Sequence, residues 1–127
     1  MKNTLEMMIV SMEDEAREVI SHELRARMGV DVKLSHQYVD DMEIGIYGTA
    51  GDLCVIGEAT IRLGAGLVRE LDEKVELLRH ARPELLRPRI LKVIYTVLAT
   101  AEAAEEARRR GIWIRSVRED ITPMPPV

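Results

Sequence analysis

Apolar residues recur at three- and four-residue steps near the start of the chain. Leu5, Met8, Ile9, Met12, Ala16, Val19, Ile20 and Leu24 form one stripe, which predicts a long amphipathic helix. Two start signals are open, Asn3 with Glu6 and Ser11 with Asp14; a capping side chain followed three residues later by an acid satisfies the first amides of a helix. The first ten residues therefore either form a turn of their own or extend the helix. Gly29 is the expected stop, since the residue after a helix often adopts the left-handed conformation that glycine tolerates. The period then drops to two. Val30, Val32 and Leu34 read as a short strand, followed by a polar connection through His36 and Asp40. Asp41 to Leu63 reads as a β-hairpin: an alternating strand Met42–Tyr47, a Gly-Thr-Ala-Gly-Asp turn, and a nearly continuous apolar strand Leu53–Ala59.

At Gly64 the period returns to 3.6, and Leu67, Leu71, Val75 and Leu78 place a second helix over about Ala65 to His80. Pro83 and Pro88 interrupt the chain. Ile90–Leu98 is β-branched and apolar on both faces, the pattern of a strand inside a sheet. Thr100 caps a short helix whose Ala103, Ala104 and Ala107 let it lie close on the sheet, and Gly111 ends it. Ile112–Ile114 is a last short strand, and the Pro-rich tail from residue 120 is expected to be loose. The order α-β-β-β-α-β-α-β, with no internal repeat, implies one α/β domain with a mixed sheet flanked by helices.

Composition narrows the class. With 127 residues, 46% apolar and 31% charged, the chain can build a single packed core. A net charge of −4 gives no global basic field that would draw it onto nucleic acid. Cys54 is alone, so no intramolecular disulfide forms, and its apolar strand marks it as a small buried hydrophobe. No run reaches membrane-span length and no signal-peptide pattern opens the chain, so the expectation is a cytoplasmic protein with no membrane contact. Asn and Gln occur once each, as Asn3 and Gln37, which fits a heat-adapted protein, although a GC-rich genome would account for the Arg bias as well.

The chemistry concentrates in the hairpin. Glu58 is the single carboxylate at the end of the buried strand, where a charge is costly unless it opens into a cleft or has a partner. This element order, with carboxylates on the second and third strands, resembles the PD-(D/E)XK nuclease superfamily. Within it the chain resembles the small archaeal domains of unknown function that carry a restriction-endonuclease-like α-β-β-β-α-β core. The resemblance covers about residues 12–115. It implies a Glu on the first helix, an Asp on the second strand and Glu-x-Lys on the third, converging at one edge of the sheet. Such carboxylates hold Mg²⁺, which polarises the phosphate and acidifies the attacking water, while the lysine stabilises developing charge.

On that pattern the Asp position is Gly45, in Glu43-Ile44-Gly45-Ile46, and Glu-x-Lys becomes Glu58-Ala59-Thr60. Glu58 is kept; the Asp and the Lys are lost. Each group of this kind is worth on the order of 10²-fold or more in rate. The resemblance thus implies a catalytically degenerate nuclease-like domain with a binding or assembly role, as a homodimer, requiring no cofactor. The methionines Met7, Met8 and Met12 on the first helix would suit the subunit interface, and core packing explains them almost as well. The alternative is an active Mg²⁺-dependent DNA nuclease with a migrated site. In it Glu43 and Glu58 hold the metal, Glu23 (or Glu15) is the helix carboxylate, and Arg62 supplies the cation. Glu43 and Arg62 each stand about 6–7 Å along their strands from the motif positions. A third alternative is a structural partner in a larger complex without nucleic acid.

Other candidates are weaker. His22, His36, His80 and Cys54 show no metal-ligand spacing. Gly64-Ala65-Gly66 lacks the remainder of a phosphate loop. Arg82, Arg87 and Arg89 form a basic cluster that could touch phosphates, or simply a solvated surface. Arg108–Arg110 complement a helix C-terminus.

Overall fold

The computed structural model describes residues 4–127. The start box at Asn3 and Glu6, and the side chains of Leu5, Met8 and Ile9, lie outside what is described. Helix α1 (Thr4–Met28) runs without interruption through Ser11, so Ser11 is not a helix start. Then follow β1 (Ser35–Val39), β2 (Met42–Ala50), β3 (Leu53–Leu63), α2 (Ala65–Ala81), a 3-10 turn at Pro83–Leu85, β4 (Arg89–Ala99), α3 (Ala101–Arg110) and β5 (Ile112–Arg115). The strands lie side by side in chain order; β1–β2 and β2–β3 are antiparallel, β3–β4 and β4–β5 parallel. Two hairpin links and two helical crossovers give the expected mixed α/β sheet, with β4 inside it.

The sheet separates two cores. On one face the α1 stripe Ala16, Ile20 and Leu24 is fully buried against Ile46, Val55, Val93 and Trp113. On the other, Val68, Leu71, Val75 and Leu78 of α2 and Ala103 and Ala107 of α3 cover Cys54, Ile56, Ile94 and Ile114. The α3 boundaries follow the sequence: Thr100 Oγ1 accepts from the Ala103 amide at 3.0 Å, and Gly111 closes the helix at φ 65°.

Three expectations change. The first strand is Ser35–Val39, not Val30–Leu34. Val32 is buried, but it packs in extended chain outside any ladder, with its carbonyl accepting from Ser21 Oγ. The segment passes so close to β2 that a Cβ on Gly48 would sit 2.5 Å from the Lys33 carbonyl oxygen. The alternation at 30–34 therefore reports packing, while the actual strand is polar because it is an edge with one neighbour. The hairpin turn is also tighter than expected, since β2 continues to Ala50 and turns over Gly51-Asp52. Finally, the tail after residue 120 is docked. Thr122 is buried and bridges the Ile114 amide and Ile112 carbonyl, and Met124 packs on the α1-side core.

Candidate functional site

The last registered pair of the β2–β3 ladder is Ile46 with Gly57. Beyond it, a notch opens between the strands at Gly45 and Glu58. The Gly45 amide turns to Glu58 Oε2 at 3.4 Å, and the Glu58 side chain is only 14% exposed. Burial raises the Glu58 carboxyl above its ordinary value, opposed by Lys74 and the Gly45 amide. Lys74, from α2, donates to Glu58 Oε1 at 2.6 Å and to the Glu43 carbonyl at 2.6 Å.

From the other side, α1 contributes Glu13. A Cβ built on Gly45 would lie 3.1 Å from Glu58 Oε2 and 3.7 Å from Glu13 Oε1. An aspartate there would bring a third carboxylate against two others, an arrangement that needs a cation. Glycine removes that demand. Arg17 donates to the Gly45 carbonyl at 3.0 Å and stands 3.7 Å from Glu13. Glu13 Oε2 also meets His36 Nδ1 at 3.0 Å, and His36 Nε2 faces Glu43 Oε1 at 3.2 Å.

The structure brings Glu58 and Glu43 to the notch but neither Glu23 nor Arg62. Glu23 lies ten residues beyond Glu13, about 15 Å along the helix, where it pairs with Arg115 at 2.8 Å and Arg27 at 3.5 Å. Glu15 accepts from Tyr95 Oη. Arg62 lies four residues beyond Glu58, about 13 Å along the strand, on exposed chain. The cation beside Glu58 is instead Lys74. Thr60 donates to the Arg62 carbonyl and brings no charge. Arg82 and Arg89 are paired with Asp40 and Asp52, each at 2.8 Å, and Arg87 donates to the carbonyls of Glu84 and Leu86. They form no set of free cations. Burial pushes the Cys54 thiol up to about 11, leaving it inert at neutral pH.

Glu13 and Lys74 are not among the residues read from the sequence, and His36 enters there only as a histidine without metal-ligand spacing. The first two carry a readable signal. Glu13 is three residues before Ala16 and seven before Ile20, on the buried stripe of α1; Lys74 falls between Leu71 and Leu78 on that of α2. A charge inside an apolar stripe needs a partner, and each has one.

Compared with known proteins, residues 14–124 match the family described as Domain of unknown function (DUF8196). Among solved structures, the EndoMS-dsDNA2 complex is similar over 91% of this chain and 45% of that chain, with TM-score 0.55 and 18% identity. A repair endonuclease from Pyrococcus abyssi is similar over 86% and 47%, with TM-score 0.54 and 12% identity. These likenesses show that the chain shares the fold of those two proteins. The chain spans about half the length of either structure. A 71-residue stretch is 42% identical to part of the bifunctional NAD(P)H-hydrate repair enzyme Nnr of Escherichia coli (strain K12), covering 54% of this chain and 14% of that protein. No helix of the described residues is long and apolar enough to cross a membrane.

Proposed function

The chain belongs to the DUF8196 family, and we propose that it is a nuclease-like module that assembles with a partner and does not cleave nucleic acid. One observation carries the reading: the Glu58 carboxylate is closed onto Lys74 and the Gly45 amide, in a notch with no aspartate. Magnesium prefers several hard oxygen ligands and is slow to shed water. Glu58 already has its positive charge in Lys74, and Glu13 stands beside Arg17. Little uncompensated negative charge remains on Glu58 and Glu13 to hold that ion.

The assembly half rests on surface composition. Met7, Ile61 and Val97 line one groove beside α1; Val97 is 67% exposed. Clustered apolar side chains of this kind mark interaction surfaces, and a second copy of the chain is the proposed occupant, by a two-fold contact. Light scattering on the full chain tests it. The wild type should have dimer mass, and Val97→Glu should shift it to monomer without lowering its melting temperature. Monomeric wild-type protein at high concentration contradicts the homodimer.

A second reading has one observation in its favour: Lys74 restores a cation beside Glu58. In that reading Glu13, Glu43, Glu58 and Lys74 form a migrated Mg²⁺-dependent nuclease site, and DNA is the substrate suggested by the EndoMS complex. Cation-dependent nicking of plasmid DNA separates the two readings.

A further inference from the structure

The rim of the notch holds a grouping that the Glu58–Lys74 pair does not use. Glu13 on α1, His36 on β1 and Glu43 on β2 each offer one ligand atom, and these atoms lie within 4.8 Å of one another. One oxygen of Glu13, Oε2, meets His36 Nδ1 at 3.0 Å. A carboxylate only accepts, so Nδ1 carries the proton, and the neutral ring then presents a lone pair at Nε2. Nε2 is wholly shielded from solvent and has no hydrogen-bond partner among the described residues. Glu43 Oε1 stands 3.2 Å away, yet the approach lacks the direction of a hydrogen bond. Two acceptors facing each other at that distance repel, and a cation between them reverses the sign.

We propose that Glu13, His36 and Glu43 form a binding site for a divalent transition ion of the Zn²⁺ class. His36 Nε2 and Glu43 Oε1 are the direct ligands, and Glu13 holds the ring at Nδ1 with its second oxygen turned toward the notch. The chemistry of the donors selects the ion. Imidazole with carboxylate suits Zn²⁺ or Mn²⁺, whereas Mg²⁺ takes oxygen donors almost exclusively. The spacing agrees. Tetrahedral Zn²⁺ with bonds of about 2.0–2.2 Å holds neighbouring donor atoms roughly 3.3–3.5 Å apart, close to the separation already present. A carboxylate on the far ring nitrogen is the usual means of fixing the tautomer and orientation of a ligating histidine. Glu43 is half-exposed and provides the entry route. The ion would tie α1, β1 and β2 together and anchor an edge strand that has only β2 as a neighbour.

An imidazolium bridging the two carboxylates would also satisfy Nε2 without metal, and the experiment separates these cases. Calorimetry and thermal melting of the full chain are run with Zn²⁺ and, in parallel, Mg²⁺. One Zn²⁺ per chain should bind and raise the melting temperature, with no comparable effect of Mg²⁺. His36→Gln and Glu43→Gln should each weaken Zn²⁺ at least about 10-fold, the smallest loss expected when groups around a metal are removed. Glu43→Gln changes a half-exposed side chain by one atom and keeps the fold testable if His36→Gln does not. Absence of Zn²⁺ binding by the wild type, or binding unaltered in both variants, overturns the proposal. DNA nicking would overturn the non-cleaving reading and leave this site standing, so the two failures are distinguishable.

Discussion

Lys74 Nζ on α2 lies 2.6 Å from Glu58 Oε1 on β3, and the same nitrogen donates to the Glu43 carbonyl. One lysine thereby fastens a helix to two strands at the point where their ladder ends. The pair sits mostly out of water, so its removal is felt through the partner left behind more than through the attraction lost.

Replacing Lys74 with Met should destabilise the protein by about 1.5–3 kcal/mol at neutral pH, the usual cost of losing a hydrogen bond to a charged group. The pH dependence follows from the raised Glu58 carboxyl. A carboxyl raised in the folded state binds its proton more tightly there than in the unfolded chain. It favours folding below the unfolded value, and that contribution is lost as pH rises through the folded value. Without Lys74 the carboxyl rises further. The deficit of the variant should therefore be small below the ordinary carboxyl value of 4.5 and grow toward neutrality. Urea titrations at several pH values measure it, and a deficit independent of pH contradicts the assignment.

Gly45→Asp with Thr60→Lys restores the residue types that the resemblance requires. The new Cβ at position 45 would stand 3.1 Å from Glu58 Oε2, so carboxylates crowd in the absence of metal. The double variant should melt below the wild type without a divalent ion and recover with Mn²⁺, bound through the carboxylates. Melting curves with and without Mn²⁺ test this. A variant as stable as wild type in metal-free buffer would show that the notch lacks the inherited geometry.

Asp120 anchors the tail. Burial pushes its carboxyl up, but hydrogen bonds from Arg27, Trp113 and Arg115 outweigh burial together and hold it below the ordinary value. A depressed carboxyl stabilises the fold above its unfolded value and loses that contribution as pH falls through the folded one. Asp120→Ala should cost about 1–3 kcal/mol at neutral pH, with Trp113 Nε1 and the buried Arg115 losing a partner. It should also weaken the stability loss below the ordinary carboxyl value of 3.8. Equilibrium unfolding from acid to neutral pH provides the comparison.

The fold was legible wherever one physical signal dominated. The switch of period at Gly64 placed α2, and the β-branched run at 90–98 placed a central strand. Strand β1 was hidden because a polar edge such as Ser35–Val39 leaves no apolar alternation, while Val32 mimicked one by packing outside the ladder. In the site, Glu58 stood out as a charge in an apolar strand. Lys74 and Glu13 did not, because they arrive from helices remote in sequence and only the fold brings them to Gly45. Arg62 was attractive by its two-residue offset from Thr60, but a strand carries side chains away from the notch at about 3.3 Å per residue. His36 shows no ligand spacing along the chain, and its two carboxylate neighbours come from other elements.

On the proposed function, the notch around Glu58 does not cut nucleic acid. Incubating the wild-type chain with supercoiled plasmid, and separately with single-stranded RNA, in Mg²⁺ and in Mn²⁺ tests it most directly, with Glu58→Ala and Lys74→Ala as controls. No nicking above the metal-only background is expected, and no difference between wild type and either variant. Nicking by the wild type that requires Mn²⁺ or Mg²⁺ and falls on the order of 10²-fold in both variants would contradict it and establish Glu58 and Lys74 as a working, migrated site.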